Sequence, residues 1–185
     1  MNPEIKPQNP SNNHKGLEMY FSPEIAEKFA ELEQNEKNFK VAQIVDTILL
    51  QESADMKAPI YCAELGGGAH PDRYDKFFNK LINEDGHIDW VDISPIMLEL
   101  AKKYISNEKY QNRQKVITFV KSEILEYLRG LENEKLDLAI MKYTIDHIDN
   151  LEELFALLSV KLVHGGKLIA TIGNMSPELK SYSTN

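Results

Sequence analysis

The sequence predicts an α/β protein, a doubly wound and mainly parallel sheet of five strands with helices on both faces. Three observations predict it. From Ile60 onward, short apolar runs alternate with segments whose apolar residues recur at helical spacing. The first run stops at three consecutive glycines, Gly66-Gly67-Gly68. The second run ends on an acid, Asp92, 28 residues after Glu64 and about one strand–helix–strand unit further on. Such alternation implies right-handed crossovers and a parallel sheet covered on both faces. Ligands of these sheets bind beyond the carboxyl ends of the strands, where the winding reverses.

Residues 1–16 hold three prolines and four asparagines with few apolar side chains, and read as a flexible arm. Residues 17–57 read as an N-terminal helical lid or packing segment. Tyr20 and Phe21 lie in its apolar start, Ser22-Pro23 opens a helix as N-cap and first residue, and Val41, Ile44, Val45, Ile48 and Leu49 form a stripe over 39–50. The sheet domain spans 58–173. Its strands are expected at 60–65, 87–91, 116–120, 136–141 and 167–172. Phe77, Phe78, Leu81 and Ile82 give the first intervening helix its buried face, and Ser94-Pro95 starts the second. A short helix is expected over 124–131. Asn150-Leu-Glu-Glu153 has the form of a capping box for a helix burying Leu151, Leu154, Phe155, Leu158 and Leu162, ended by Gly165-Gly166. Residues 174–185 are a polar tail.

The chain has 185 residues, enough for one domain with a sizeable core. Lys plus Arg total 21 against 29 Asp plus Glu, a net charge of −8, which argues against tight non-specific nucleic-acid binding. No apolar run is long enough to span a bilayer, and the N-terminus lacks a signal-peptide pattern. The single cysteine, Cys62, allows no intrachain disulfide, so a cytoplasmic location is expected.

Chemistry is expected in the loops after the strands. Three glycines after strand one bring backbone N–H groups close to a ligand, or simply make a tight turn. Asp92 is suited to the hydroxyls of a ribose, or to capping the next helix. His147 after strand four carries an imidazole, the side-chain type most often used as a base, and is a candidate base, or a packing residue. His70, Asp72 and Asp75 have metal-ligating side chains at a spacing that matches no familiar scheme, so no metal is expected.

The string Glu64-x-Gly66-x-Gly68 followed by Asp92-Ile-Ser-Pro-Ile-Met-Leu-Glu-Leu-Ala101 resembles class I S-adenosylmethionine-dependent methyltransferases. The likeness continues in Phe119-Val-Lys-Ser-Glu-Ile124, in Leu136-Asp-Leu-Ala-Ile-Met141 with Tyr143-Thr-Ile-Asp-His-Ile148, and in Leu162-Val-His-Gly-Gly-Lys-Leu168. It covers roughly residues 40 to 173. The resemblance implies a Rossmann-like fold, S-adenosylmethionine as cofactor and S-adenosylhomocysteine as product. It implies that Glu64 and the Gly66, Gly67 and Gly68 backbone hold the methionine end, that Asp92 takes the ribose and that Ile93 packs on the adenine. Glu123 and Ile124 would face the adenine amino group, and Met141, Lys142 and Tyr143 the methyl-donor side. Tyr20, His70 and Tyr143 would meet the substrate or form the lid.

Two departures stand out. His70 falls where the family has a third glycine. The family also adds two strands after strand five, and the polar tail here does not read as either. The expected function is methyl transfer to a small molecule. A cofactor-binding but inactive subunit or regulatory domain is the alternative, and a homodimer or partner subunit would cover the strand-five edge. The Asn/Asp-Pro-Pro-Tyr motif of many nucleic-acid and protein amino-methyltransferases is absent. A nicotinamide dehydrogenase is disfavoured because Pro71 stands at the last glycine of G-x-G-x-x-G.

Overall fold

A computed structural model describes residues 22–33 and 36–172. The expected arm, the Tyr20–Phe21 cluster and the polar tail lie outside the described residues. Helices α1 (Pro23–Glu33) and α2 (Glu36–Glu52) come first. Strands β1 (Tyr61–Leu65), β2 (His87–Asp92), β3 (Ile117–Lys121), β4 (Leu136–Lys142) and β5 (Leu162–Thr171) then alternate with α3 (Asp75–Asn83), α4 (Pro95–Ile105), α5 (Ile124–Gly130) and α6 (Leu151–Lys161). The sheet order is β3-β2-β1-β4-β5, and every neighbouring pair is parallel. The chain winds outward from β1 to β3 and then returns to the other side of β1 for β4. The switch point therefore lies between the carboxyl ends of β1 and β4.

Alternation along the central strands feeds two cores. Cys62, Ile88, Trp90, Leu138 and Ile140 face α2, α3 and α4, where Leu49, Phe77 and Phe78 meet them. Ala63, Leu65, Val91, Ala139 and Met141 face α5 and α6 and pack on Leu128, Leu154 and Leu158. A strand buried on both faces reads as a continuous apolar run, which is why β1 and β4 stood out in the sequence. Local chemistry sets the helix starts. Ser94 Oγ accepts the Met97 N–H at 3.3 Å, and Asn150 Oδ1 accepts the Glu153 N–H at 3.0 Å. A longer-range cap joins two helices: buried Asp46 of α2 accepts the N–H groups of Lys76 and Phe77 at the start of α3. No helix among the described residues is long and apolar enough to cross a membrane.

Three expectations change. Gly165-Gly166 does not end α6, which stops at Lys161. The pair lies inside β5 at a bulge, where Leu136 aligns with Leu162 but Leu138 aligns with Lys167. Leu151 and Phe155 are 43% and 48% exposed rather than buried, because among the described residues no strand lies beyond β5 to cover the outer flank of α6. Ile44 of the α2 stripe is likewise exposed.

The core also sets an alkaline limit. Burial, together with a 2.7 Å hydrogen bond to Asp89, pushes the Tyr127 phenol far above the ordinary tyrosine range. Burial also raises the Tyr61 phenol and the Cys62 thiol. All three stay protonated in the fold when the unfolded chain would release their protons. Their contribution to stability is full below the unfolded values of 9.0 and 10.0 and is lost as pH rises above them. Denaturant titrations from pH 8 to 11 are expected to show falling stability, with a shallower fall in Tyr127→Phe. A flat wild-type profile would contradict this.

Candidate functional site

The loop after β1 is shaped by its glycines. Gly66 and Gly68 adopt φ +79° and +63°, a region that disfavours any Cβ. The N–H groups of Gly66 and Gly67 donate to the Val91 carbonyl at 2.8 and 2.9 Å. A Cβ on Gly67 would lie 2.3 Å from Trp90 Nε1, and one on Gly66 would lie 2.4 Å from Thr144 Cγ2. The space cleared at 66 and 67 is therefore filled by the chain's own Trp90 and Thr144. Trp90 also donates from Nε1 to the Gly68 carbonyl at 2.9 Å.

Asp92, at the carboxyl end of β2, joins this loop to α4. Its Oδ2 accepts the Gly68 N–H at 2.9 Å and its Oδ1 accepts the Ser94 N–H at 2.8 Å. The side chain is half-buried. On the other side of the switch point, Lys142 ends β4 as a buried cation. Tyr143 follows at φ +58°. Its N–H donates to Thr171 Oγ1 at 3.0 Å, and Thr144 Oγ1 donates to the Lys142 carbonyl at 3.1 Å. Thr144 thus packs on Gly66, and the two loops meet across the gap between β1 and β4.

Left-handed backbone at an aromatic residue costs about 1–3 kcal/mol. Asparagine tolerates that region far better, so Tyr143→Asn is expected to raise thermal stability by roughly 1 kcal/mol. A lowered melting temperature would show that ring packing outweighs the backbone term.

The family model described as "Methyltransferase domain" matches residues 66–170, more than half of the chain. The chain belongs to the methyltransferase-domain family. Among curated proteins, the arsenite methyltransferase of Mus musculus is 27% identical over 108 residues, 57% of this chain and 28% of its own length. The chain thus spans little more than a quarter of that relative. Among solved structures, one from Methanococcus maripaludis, provisionally assigned as an S-adenosyl-L-methionine-dependent methyltransferase, superposes with a TM-score of 0.65 at 21% identity. That match covers 88% of this chain and 68% of the other. Phosphoethanolamine N-methyltransferase 2 of Haemonchus contortus, in complex with S-adenosyl-L-methionine, gives 0.58 at 18% identity over 82% of this chain and 37% of its own. The fold is the Rossmann-like one of S-adenosylmethionine-dependent methyltransferases.

Within the methyltransferase domain, Glu64, Gly66, Gly67, Gly68, Asp92, Ile93, Lys142 and Tyr143 gather at the carboxyl ends of β1, β2 and β4. Glu64 is fully buried and accepts the Tyr74 hydroxyl at 3.3 Å. Glu123 caps its own helix, accepting the Glu126 N–H at 3.0 Å. Ile124 and Met141, expected to line the cleft, are buried in the core against α5 and α6. His147, the candidate base, is exposed on the turn Ile145–His147. His70 is buried under α1 rather than directed into the cleft. Tyr20 lies outside the described residues. Asp75 pairs with Arg113 while Asp72 meets His70, and no cluster of three metal-ligating side chains occurs among the described residues.

Sequence reasoning missed Thr144, Trp90 and Arg113. Arg113 donates to the Pro71 carbonyl at 2.8 Å and stacks on Phe78 and Tyr110, so it holds the end of the glycine loop. It sits in the polar stretch Glu108–Lys115, which reads as plain surface. Trp90 carried one usable signal, as the chain's only tryptophan on the strand that leads into Asp92.

Proposed function

We propose that this domain binds S-adenosylmethionine at the carboxyl ends of β1, β2 and β4 and passes its methyl group to a small-molecule acceptor. The observation that carries this reading is the Asp92 carboxylate, half-exposed at the switch point beside the Gly68 N–H. The residues fit the cofactor in kind. A carboxylate accepts about four hydrogen bonds, so ribose hydroxyls can share the Asp92 oxygens with the two backbone N–H groups. Ile93 offers an apolar neighbour for the adenine, and Glu123 an acceptor that it shares with the α5 cap. Lys142 suits the carboxylate of a zwitterionic amino-acid end and the glycine-loop carbonyls its ammonium, whereas Glu64 is fully buried and the loop's N–H groups already donate to Val91 and Asp92.

The bound sulfonium supplies an electrophilic methyl. The chain's own work is alignment, since an activated donor needs mainly an in-line nucleophile. The contact of Thr144 with Gly66 fixes the loop of Tyr143 against the glycine loop, which suits that task. A base is required only for an acceptor that keeps its proton at neutral pH, and exposed His147 is the residue we assign to it.

Net charge −8 counts against nucleic-acid acceptors. The mouse relative's arsenite also fits poorly. A soft As(III) centre is held by thiolates, and this chain's one thiol, Cys62, is buried in the sheet and pushed up by burial. That single buried thiol suits the reducing cytoplasm.

The second reading is a subunit that binds cofactor without turnover; a separate observation, independent of turnover, concerns self-association. The outer edge of β5 pairs with no strand among the described residues, and Leu151, Phe155 and Ile172 beside it are exposed. We assign this edge to a second copy of the chain. Light scattering at micromolar concentration is expected to give a dimer that Phe155→Glu disrupts; a monomer would count against the assignment. Release of S-adenosylhomocysteine from S-adenosylmethionine on addition of fractionated small metabolites separates the readings. Acceptor-dependent release supports the enzyme, and binding without release the subunit.

A further inference from the structure

We infer that His70 is a latch that holds α1 closed over the cofactor cleft, a positioning residue acting through a ring protonated on both nitrogens. The inference goes beyond the cofactor reading above, on which its link to the cleft rests. His70 is 2% exposed. Its Nε2 lies 2.8 Å from the Ala30 carbonyl oxygen and its Nδ1 lies 3.3 Å from Asp72 Oδ1. Both partners are acceptors, and a neutral imidazole has only one N–H. The pair of bonds is complete only when the ring is charged.

The partners give this charge a purpose. Ala30 lies in the last turn of α1, where carbonyls lack intrahelical donors, and a cation there is favoured. Burial is the largest influence and would raise the Asp72 carboxyl, but the His70 hydrogen bond and charge, a backbone hydrogen bond and the Arg73 charge together hold it below the usual range. Among the described side chains, Ala26 and Ala30 of α1 rest on Ala69 and Met97, with Ile96, Leu100 and Tyr104 around them. Ala69 directly follows Gly68, and Met97 lies four residues after Ile93. Removal of α1 would therefore uncover the wall of the cleft.

Charged and titratable groups lie near the ring among the described residues. Asp72 and buried Arg73 come from its own loop, and Tyr104 of α4 stacks at 4.6 Å between ring centroids. Glu24, Glu27, Lys28 and Glu31 of α1 and Glu99, Lys102 and Lys103 of α4 are exposed, and Asp46 of α2 is engaged at the start of α3. Loss of a ring proton from His70 would leave one of these bonds unmade and is thus expected to loosen α1.

Hydrogen exchange of the full chain without cofactor, corrected for intrinsic rates, tests this. Protection of 23–33 is expected to fall about tenfold as the pH is raised, the size of an imidazolium effect at a helix end. His70→Gln, which keeps one donor, is expected to give a lower and pH-independent protection, with β1 peptides unchanged. Asp72→Asn is expected to move the wild-type fall to lower pH. S-adenosylhomocysteine is expected to leave His70→Gln about tenfold faster than wild type at roughly pH 6. Equal α1 protection in wild type and His70→Gln, or the same pH profile in both, would overturn the latch. If no variant binds S-adenosylhomocysteine, the cofactor reading fails while the exchange result still decides the latch.

Discussion

Gly67→Ala is expected to destabilise the domain by about 3 kcal/mol and to abolish ligand binding at ambient temperature. The added methyl would sit 2.3 Å from Trp90 Nε1 and 2.4 Å from Cε2. Trp90 cannot yield cheaply. Its side chain is 1% exposed, packs near Tyr74 and holds the Gly68 carbonyl. Any swing of the indole opens the α3-side core and breaks that hydrogen bond together. A denaturant midpoint within error of wild type would refute this packing argument. The double variant Gly67→Ala/Trp90→Phe is a sharper check, because the smaller ring makes room for the methyl. It is expected to be more stable than the sum of the two single changes predicts, by more than about 1 kcal/mol.

The second large effect is at Asp92. Its carboxylate joins the glycine loop to the start of α4 through both oxygens. Hydrogen bonds to a charged acceptor contribute about 1.5–3 kcal/mol each. Asp92→Ala is therefore expected to lose about 2–4 kcal/mol of stability without any ligand present. On the proposed reading it also loses the ribose contact, and affinity for S-adenosylhomocysteine is expected to fall about 100-fold, close to 2.7 kcal/mol. The two readouts are separable. Denaturation without ligand reports the brace, and titration below the melting transition reports the ribose contact. An unchanged affinity would remove Asp92 from the site while leaving its bracing role intact.

The order of strands and helices was legible because the pattern is dictated by burial. Central strands covered on both faces carry unbroken apolar runs, and helices show one apolar stripe. Caps at Ser94 and Asn150 were legible for the same local reason, since a side-chain oxygen serves N–H groups only three residues away. What failed was set by tertiary context. Leu151 and Phe155 follow helical spacing, but spacing says nothing about whether a strand lies under that flank. Gly165-Gly166 has the form of a helix stop and forms a bulge, because the chain turns extended at Leu162, before it reaches the pair. Within the site, Asp92 and the glycines were readable from position along the chain. The filling of the glycine spaces by Trp90 and Thr144 was not, since it joins residues 23 and 78 positions apart. His70 read as an intruder in the cleft and is instead fastened to a carbonyl 40 residues earlier.

The central claim is that the gap between the loops of β1 and β4 takes S-adenosylmethionine. Calorimetric titration of the full chain with S-adenosylhomocysteine, with NAD as the control and Asp92→Ala alongside, tests it most directly. A Kd on the order of 10 μM, about −7 kcal/mol, with no heat from NAD and a large loss in the variant, is the predicted result. Binding of NAD instead, or of neither ligand by a folded wild-type chain, would contradict the claim.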